Sequence, residues 1–346
     1  MFTPDYKNIL DAANNIEARR LPLYEHFINV GFMEKILNKN FSQYYNGNYE
    51  DKKEYFRHYC GFYKDMGYDT VSFECCIGQV MPGSGALGGH IKGVISNRED
   101  YERYPWDYIP DMYFEKFGST YEALRETLPE GMKAVGGPGN GIFECVQDLT
   151  GYMDLCFMKE DDPDLYACIF KKIGEVNSII WDRFLGKYGD IYCVCRFGDD
   201  LGFKSDLLIS DSDIRSLILP SYKRIIDLVH KHNKPFLLHS CGCIFKIMDD
   251  LIHAGIDAKH SNEDTIAPFS EWVVKYGDLI GNFGGIDLDA VCQLSKEELK
   301  EYISDVLKCC KGQNGIAVGS GNSIPDYVPA ENYLNMIEIT REARNE

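Results

Sequence analysis

The stretch NKPFLLHSCGCIFKIMDDLIHAG, residues 233–255, sets the architecture. A short apolar run (235–240) ends in His239, and Cys241 and Cys243 follow within four residues. A brief, unalternating apolar run with a helical pattern behind it is the signature of a strand buried on both faces of a parallel sheet. The polar tip then lies where strand passes into loop, the place where barrels of parallel strands carry their chemistry.

The same grammar recurs along the chain. Further strands are predicted at 20–26 (RLPLYEH), 68–76 (YDTVSFECC), 132–137 (MKAVGG), 190–196 (DIYCVCR), 256–261 (IDAKHS), 279–285 (LIGNFGG) and 315–321 (GIAVGSG). Helical patterns fill the gaps over 161–189, 210–233, 295–312 and 329–344, the third opening on Ser295 with Glu298 three residues later, a capping box. Eight strands alternating with helices predict a (β/α)8 TIM barrel, a single domain over 1–346 with the barrel at about 20–342. The segments 39–66 and 77–130 exceed ordinary connections. They predict an N-terminal helical extension and a long insertion after the second strand, counting 20–26 as the first. The Gly-rich GQVMPGSGALGGHIKG lacks the Lys-Ser/Thr ending of a phosphate loop, and a substrate-covering loop is expected there.

Composition narrows the partners. Lys and Arg number 36 against 54 Asp and Glu, a net charge of −18, which argues against a nucleic-acid backbone or an anionic membrane. No secretory or membrane-spanning run is evident, so a cytoplasmic protein is expected. Its 13 cysteines form no C-x-x-C pair, and in a reducing compartment they read as free thiols, mostly small buried hydrophobes, or as metal ligands. The oligomeric state stays open, a homodimer among the options.

The strand ends collect Glu25, His26, Glu74, Arg196, Asp199, Asp200, His239, Cys241, Lys259, His260, Asp287, Ser320 and Asn322. A lone His or Cys at such a place is more often structural than a ligand. His-x-Cys is a stronger signal, because side chains two apart on an extended segment share a face, and imidazole with thiolate suits Zn²⁺. A third ligand must come from another strand: Glu74 is expected, with His26 and Cys243 as alternatives. Adjacent Asp199 and Asp200 cannot both face one site, so one is structural and the other an acid, base or substrate anchor.

In their order, RLPLYEH, VGGPG, GDDLGFKSDLLIS, HSCG, GGID and VGSGNSIPDYVPAENYLNMIE resemble the uroporphyrinogen decarboxylase superfamily, over about residues 15 to 342. That resemblance implies a (β/α)8 barrel that is either a decarboxylase or a cobalamin-linked methyltransferase. The decarboxylases carry two arginines in the first-strand segment, of the form R-Q-A-G-R-Y. Here LYEHFINVGF has Glu25 and His26 and no arginine. The thiol-alkylating methyltransferases bind zinc through His-x-Cys and a distant cysteine, which falls here near Ser320. The endings GDDLGF and GSGNSIPDYVP look more like the substrate-side enzymes of O-demethylase systems. The resemblance therefore implies transfer of a methyl group from a small O-methylated, methoxylated aromatic donor to cobalamin carried by a separate corrinoid protein. Asp200, Glu74 and His26 are the expected catalytic groups. Glu25, Asp199, Arg196, His260 and Asn322 are the expected substrate contacts, and His239, Cys241 and Glu74 the expected zinc ligands. Methyl transfer from methylcobalamin to a thiol or folate is the alternative, and tetrapyrrole decarboxylation a weaker one.

Overall fold

A computed structural model describes residues 2–344. Seven strands form one curled parallel sheet in sequence order: β1 (Thr70–Cys76), β2 (Lys133–Gly139), β3 (Tyr192–Gly198), β4 (Phe236–His239), β5 (Ala258–His260), β6 (Gly281–Ile286) and β7 (Ile316–Ser320). Each is almost wholly buried, which explains why their sequences are apolar runs without alternation. The four predicted helices are present as Pro163–Tyr188, Leu219–Lys231, Lys296–Cys310 and Ala330–Ala343, and the capping box at Ser295 and Glu298 closes as expected.

The eighth expected strand, at 20–26, is a correction: among the described residues it forms only an isolated bridge, Leu23 with Val318. Tyr24 N–H donates to the Val318 carbonyl and Val318 N–H to the Pro22 carbonyl, both at 2.9 Å. On the other side the Ser72 hydroxyl donates to the Glu25 carbonyl. The segment thus touches both β7 and β1, but Pro22 has no N–H to extend a ladder. Close approach replaces pairing here, since a Cβ on Gly319 would stand 1.7 Å from the Tyr24 carbonyl oxygen.

The N-terminal end of the sheet is closed by the helix Lys7–Ala13. Its Ile9, Ala12 and Ala13 pack on Tyr24, Val135, Val194, Leu237, Ala258, Phe283 and Ala317, all at most 1% exposed. The connection between β1 and β2 contains the helices Arg98–Arg103 and Ile109–Thr127, the latter packed on Tyr49–Met66. Its Gly-rich start is tied down, with Gly85 and Leu87 N–H donating to Asp148 Oδ1 at 2.8 and 3.2 Å. All 13 cysteines are free, and no helix among the described residues is long and apolar enough to cross a membrane.

Candidate active site

Strand register assembles the site. Gly198 pairs with His239, and His239 with His260, so the ends of β3, β4 and β5 lie in one row. Gly198 carries no side chain, which leaves the place between Glu144, His239 and His26 open. Lys259 lies one residue out of phase and turns to the other face, its Nζ 3.6 Å from the centre of the Trp272 ring.

The two histidines bond through their Nδ1 atoms, 2.8 Å apart, and His260 Nε2 lies 3.0 Å from the Ser320 carbonyl oxygen. A carbonyl only accepts, so His260 Nε2 carries the proton. Burial holds both imidazoles neutral, His260 down at about 3 and His239 well below its ordinary range. A neutral His260 therefore accepts at Nδ1, His239 donates there, and the lone pair of His239 lies on Nε2. That lone pair faces Cys241 Sγ at 3.4 Å and Asp200 Oδ1 at 3.9 Å.

Cys241, His239 and Asp200 offer ligand atoms that all lie within 4.8 Å of one another. The Cys241 N–H donates to Asp200 Oδ1 at 2.9 Å, Asn322 Nδ2 donates to the thiol at 3.5 Å, and the Ser261 hydroxyl lies 3.6 Å from it. Burial, and then the charge of Asp200, push the thiol above its ordinary range. A divalent cation would invert that balance by stabilising the thiolate. The donor set of one imidazole, one thiol and one carboxylate fits Zn²⁺. The carboxylate the structure brings beside His239 and Cys241 is that of Asp200, while Glu74, the expected third ligand, pairs through Oε2 with Arg196 at 2.7 and 3.3 Å. Cys243 is turned away by Gly242, whose φ of 83° belongs to the left-handed region, and its N–H donates to the Phe203 carbonyl at 2.7 Å.

The adjacent aspartates divide as the sequence requires. Asp199 is fully buried and caps the helix Ile142–Thr150, accepting from the N–H groups of Phe143 and Glu144 at 3.0 and 2.7 Å and from the Tyr222 hydroxyl at 2.6 Å. A substrate contact is expected of it, and at 0% exposure its carboxylate is turned to these three donors. Burial raises it to about 6. The Asp200 side chain is 42% exposed.

Glu25, also expected on substrate, is 1% exposed and turned toward β7. It accepts from the Ser320 N–H at 3.0 Å and bonds the Ser320 hydroxyl, which itself lies 2.7 Å from the Asn322 carbonyl oxygen. One hydroxyl proton cannot serve two acceptors, so with it on Asn322 the Glu25 carboxyl brings its own proton to Ser320. Burial agrees, pushing Glu25 up to about 7. His260, expected on substrate as well, is 0% exposed and bonds His239 and the Ser320 carbonyl.

His26 stacks on His239 with ring centres 3.6 Å apart and planes 13° from parallel. It borders a cavity of about 420 Å³ whose other walls include Glu74, Arg196, Tyr45, Tyr55 and Phe73. Buried His26 Nδ1 has no hydrogen-bond partner among the described residues. A larger cavity, about 740 Å³, lies against Phe2, Arg19 and Gly131 at the strand N-terminal end, away from these groups.

Two features escaped the sequence reading. Glu144 sits in the first turn of a helix instead of at a strand end, where it accepts from Asn140 Nδ2 at 2.8 Å and from the Asp200 N–H at 3.3 Å. The tyrosines come from the helix Tyr49–Met66, where Tyr55 and Tyr59 are spaced like any core pair. An acidic residue three positions after VGGPGNG was the available signal for Glu144; the tyrosines had none.

A family model described as uroporphyrinogen decarboxylase (URO-D) matches residues 54–343. Among solved structures, a methyltransferase from Methanosarcina mazei superposes with a TM-score of 0.71 at 15% identity, covering 99% of each chain. A Listeria monocytogenes protein described as a vitamin-B12 independent methionine synthase does so with a TM-score of 0.51 at 11% identity, covering 94% of this chain and 98% of that one. At such identities the likeness is one of fold. A comparison with curated proteins finds none that matches.

Proposed function

Since the chain belongs to the uroporphyrinogen decarboxylase family, we propose that it is a methyltransferase of that superfamily, moving a methyl group from a small O-methylated aromatic donor to cobalamin on a separate corrinoid protein. The observation that carries this reading is the convergence of His239 Nε2, Cys241 Sγ and Asp200 Oδ1 at the strand ends, with the imidazole lone pair aimed at the other two. Zinc held by these residues supplies, when bound, electrostatic stabilisation of charge on a leaving oxygen. Cob(I)alamin on the partner supplies the nucleophile.

The residues of this chain handle the donor and its proton. In the transfer the O–CH₃ bond breaks, the methyl goes to the nucleophile and the donor oxygen ends as a hydroxyl after taking a proton. His26, between the cavity and His239, is placed to hydrogen-bond that oxygen, which takes its proton from solvent. Glu74 lines the cavity as a donor contact, held there by Arg196. Asn322 orients the Cys241 thiol, and His260 orients His239. The corrinoid protein docks over the strand C-terminal ends.

The same ligands could serve methyl transfer to a thiol. Against that, Ser320 stands where the resemblance implies a third cysteine, and its hydroxyl is engaged by Glu25. The test is anaerobic incubation with cob(I)alamin and a panel of methoxyarenes, following methylcobalamin by absorbance. The absence of product with every donor, or full activity in both His239→Ala and Cys241→Ala, would overturn the proposal.

A further inference from the structure

The cavity beside His26 has aromatic walls and a balanced pair of charges. Tyr45, Tyr55, Phe73 and Phe27 give it flat apolar surface, and its volume of about 420 Å³ lies within the usual range for small-molecule sites. The formally charged side chains lining it are Glu74 and Arg196, which neutralise each other at 2.7 Å.

Their hydrogen bonds are not equally spent. Arg196 has five N–H donors. Four are used: Nε and NH2 on Glu74, and two NH1 protons on the Tyr24 hydroxyl at 2.7 Å and the His26 carbonyl at 2.9 Å. With 1% exposure, Arg196 cannot offer a bidentate fork to a ligand carboxylate. Glu74 Oε2 is taken by Arg196, whereas Oε1 meets the Cys76 thiol, a weak donor, at 3.8 Å. A carboxylate oxygen accepts two hydrogen bonds, so Glu74 Oε1 retains a lone pair, on a side chain that lines the cavity.

We infer that the cavity selects a neutral methoxylated phenol, its ring against the aromatic wall and its free hydroxyl donating to Glu74 Oε1, over a methoxylated benzoate or a methylated ammonium. A benzoate would bring a second anion to Glu74, beside an Arg196 whose charge Glu74 already balances. A quaternary ammonium would find aromatic faces but a carboxylate already neutralised by Arg196.

The inference rests on the proposed aromatic donor, and binding separates it from turnover. Calorimetric titration of the purified protein, without corrinoid or corrinoid protein, would use 2-methoxyphenol, anisole, 4-methoxybenzoate and tetramethylammonium. The expected result is 2-methoxyphenol tighter than each of the others by tenfold or more. Glu74→Gln, checked for folding by circular dichroism, is expected to bring 2-methoxyphenol within threefold of anisole and to improve 4-methoxybenzoate. Equal binding of anisole, tighter binding of the benzoate or ammonium, or no binding of 2-methoxyphenol overturns the inference on the unmodified protein alone. Selective binding without methyl transfer would instead remove the proposed function and leave the ligand class standing.

Discussion

His239 and His260 share a proton between their Nδ1 atoms at 2.8 Å, and the Ser320 carbonyl beyond His260 decides which ring carries it. The pair turns a backbone oxygen on β7 into an instruction about the free nitrogen on β4.

Removing His260 should therefore be felt as metal affinity. His260→Ala leaves the imidazole of His239 free to protonate either nitrogen. We expect zinc affinity to fall by about 10- to 100-fold, read by chelator competition. Unchanged affinity would detach His260 from the metal site.

The ligand set makes a second prediction. Asp200→Asn should lower zinc affinity strongly, whereas Glu74→Gln should leave it within about threefold, because it is Asp200 that lies beside His239 and Cys241. Metal content after anaerobic purification measures both, and the opposite ranking would restore Glu74 as the ligand.

Glu25 makes stability depend on pH. Its folded value of about 7 lies above the ordinary 4.5, so the folded state binds the proton more tightly. This contribution is full below about 4.5 and is lost as pH rises through about 7. Glutamine reproduces the neutral acid, accepting from Ser320 N–H and donating to Ser320 Oγ. Glu25→Gln should stabilise the fold at pH 8 by up to ~3 kcal/mol and have little effect at pH 4.5, as judged by urea unfolding at both values. Destabilisation at pH 8 would show that Glu25 is ionised in the fold.

Asp199 is predicted to matter for folding instead of ligand binding. Asp199→Ala removes the cap of Ile142–Thr150 and strands the Tyr222 hydroxyl. A loss of about 2–4 kcal/mol is expected, with 2-methoxyphenol affinity within threefold. A large affinity loss in a stable variant would return Asp199 to the substrate.

Strand ends were legible because parallel strands buried on both faces leave short apolar runs, and His239 and Cys241 share a face by simple alternation. What the sequence could not disclose is competition. Glu74 reads as the third ligand and Asp200 as an acid or anchor until the fold sets Asp200 beside His239 and Cys241 and pairs Glu74 with Arg196. Asp199 and Asp200 are indistinguishable as neighbours until one is found capping a helix 55 residues earlier in the chain. The segment 20–26 reads as a strand from its composition, yet Pro22 and the close passage over Gly319 leave it a single bridge.

The helix Lys7–Ala13 is packed into the strand N-terminal end, opposite the site, which leaves the other end for two visitors. Under the proposed reaction, donor and corrinoid carrier approach through the same mouth, and the smaller must be seated before the larger covers it. Demethylated product then waits for the carrier to leave. Kinetically this is compulsory order, with product competing against the donor and not against the carrier. Random-order inhibition patterns would mean that a second route opens during turnover.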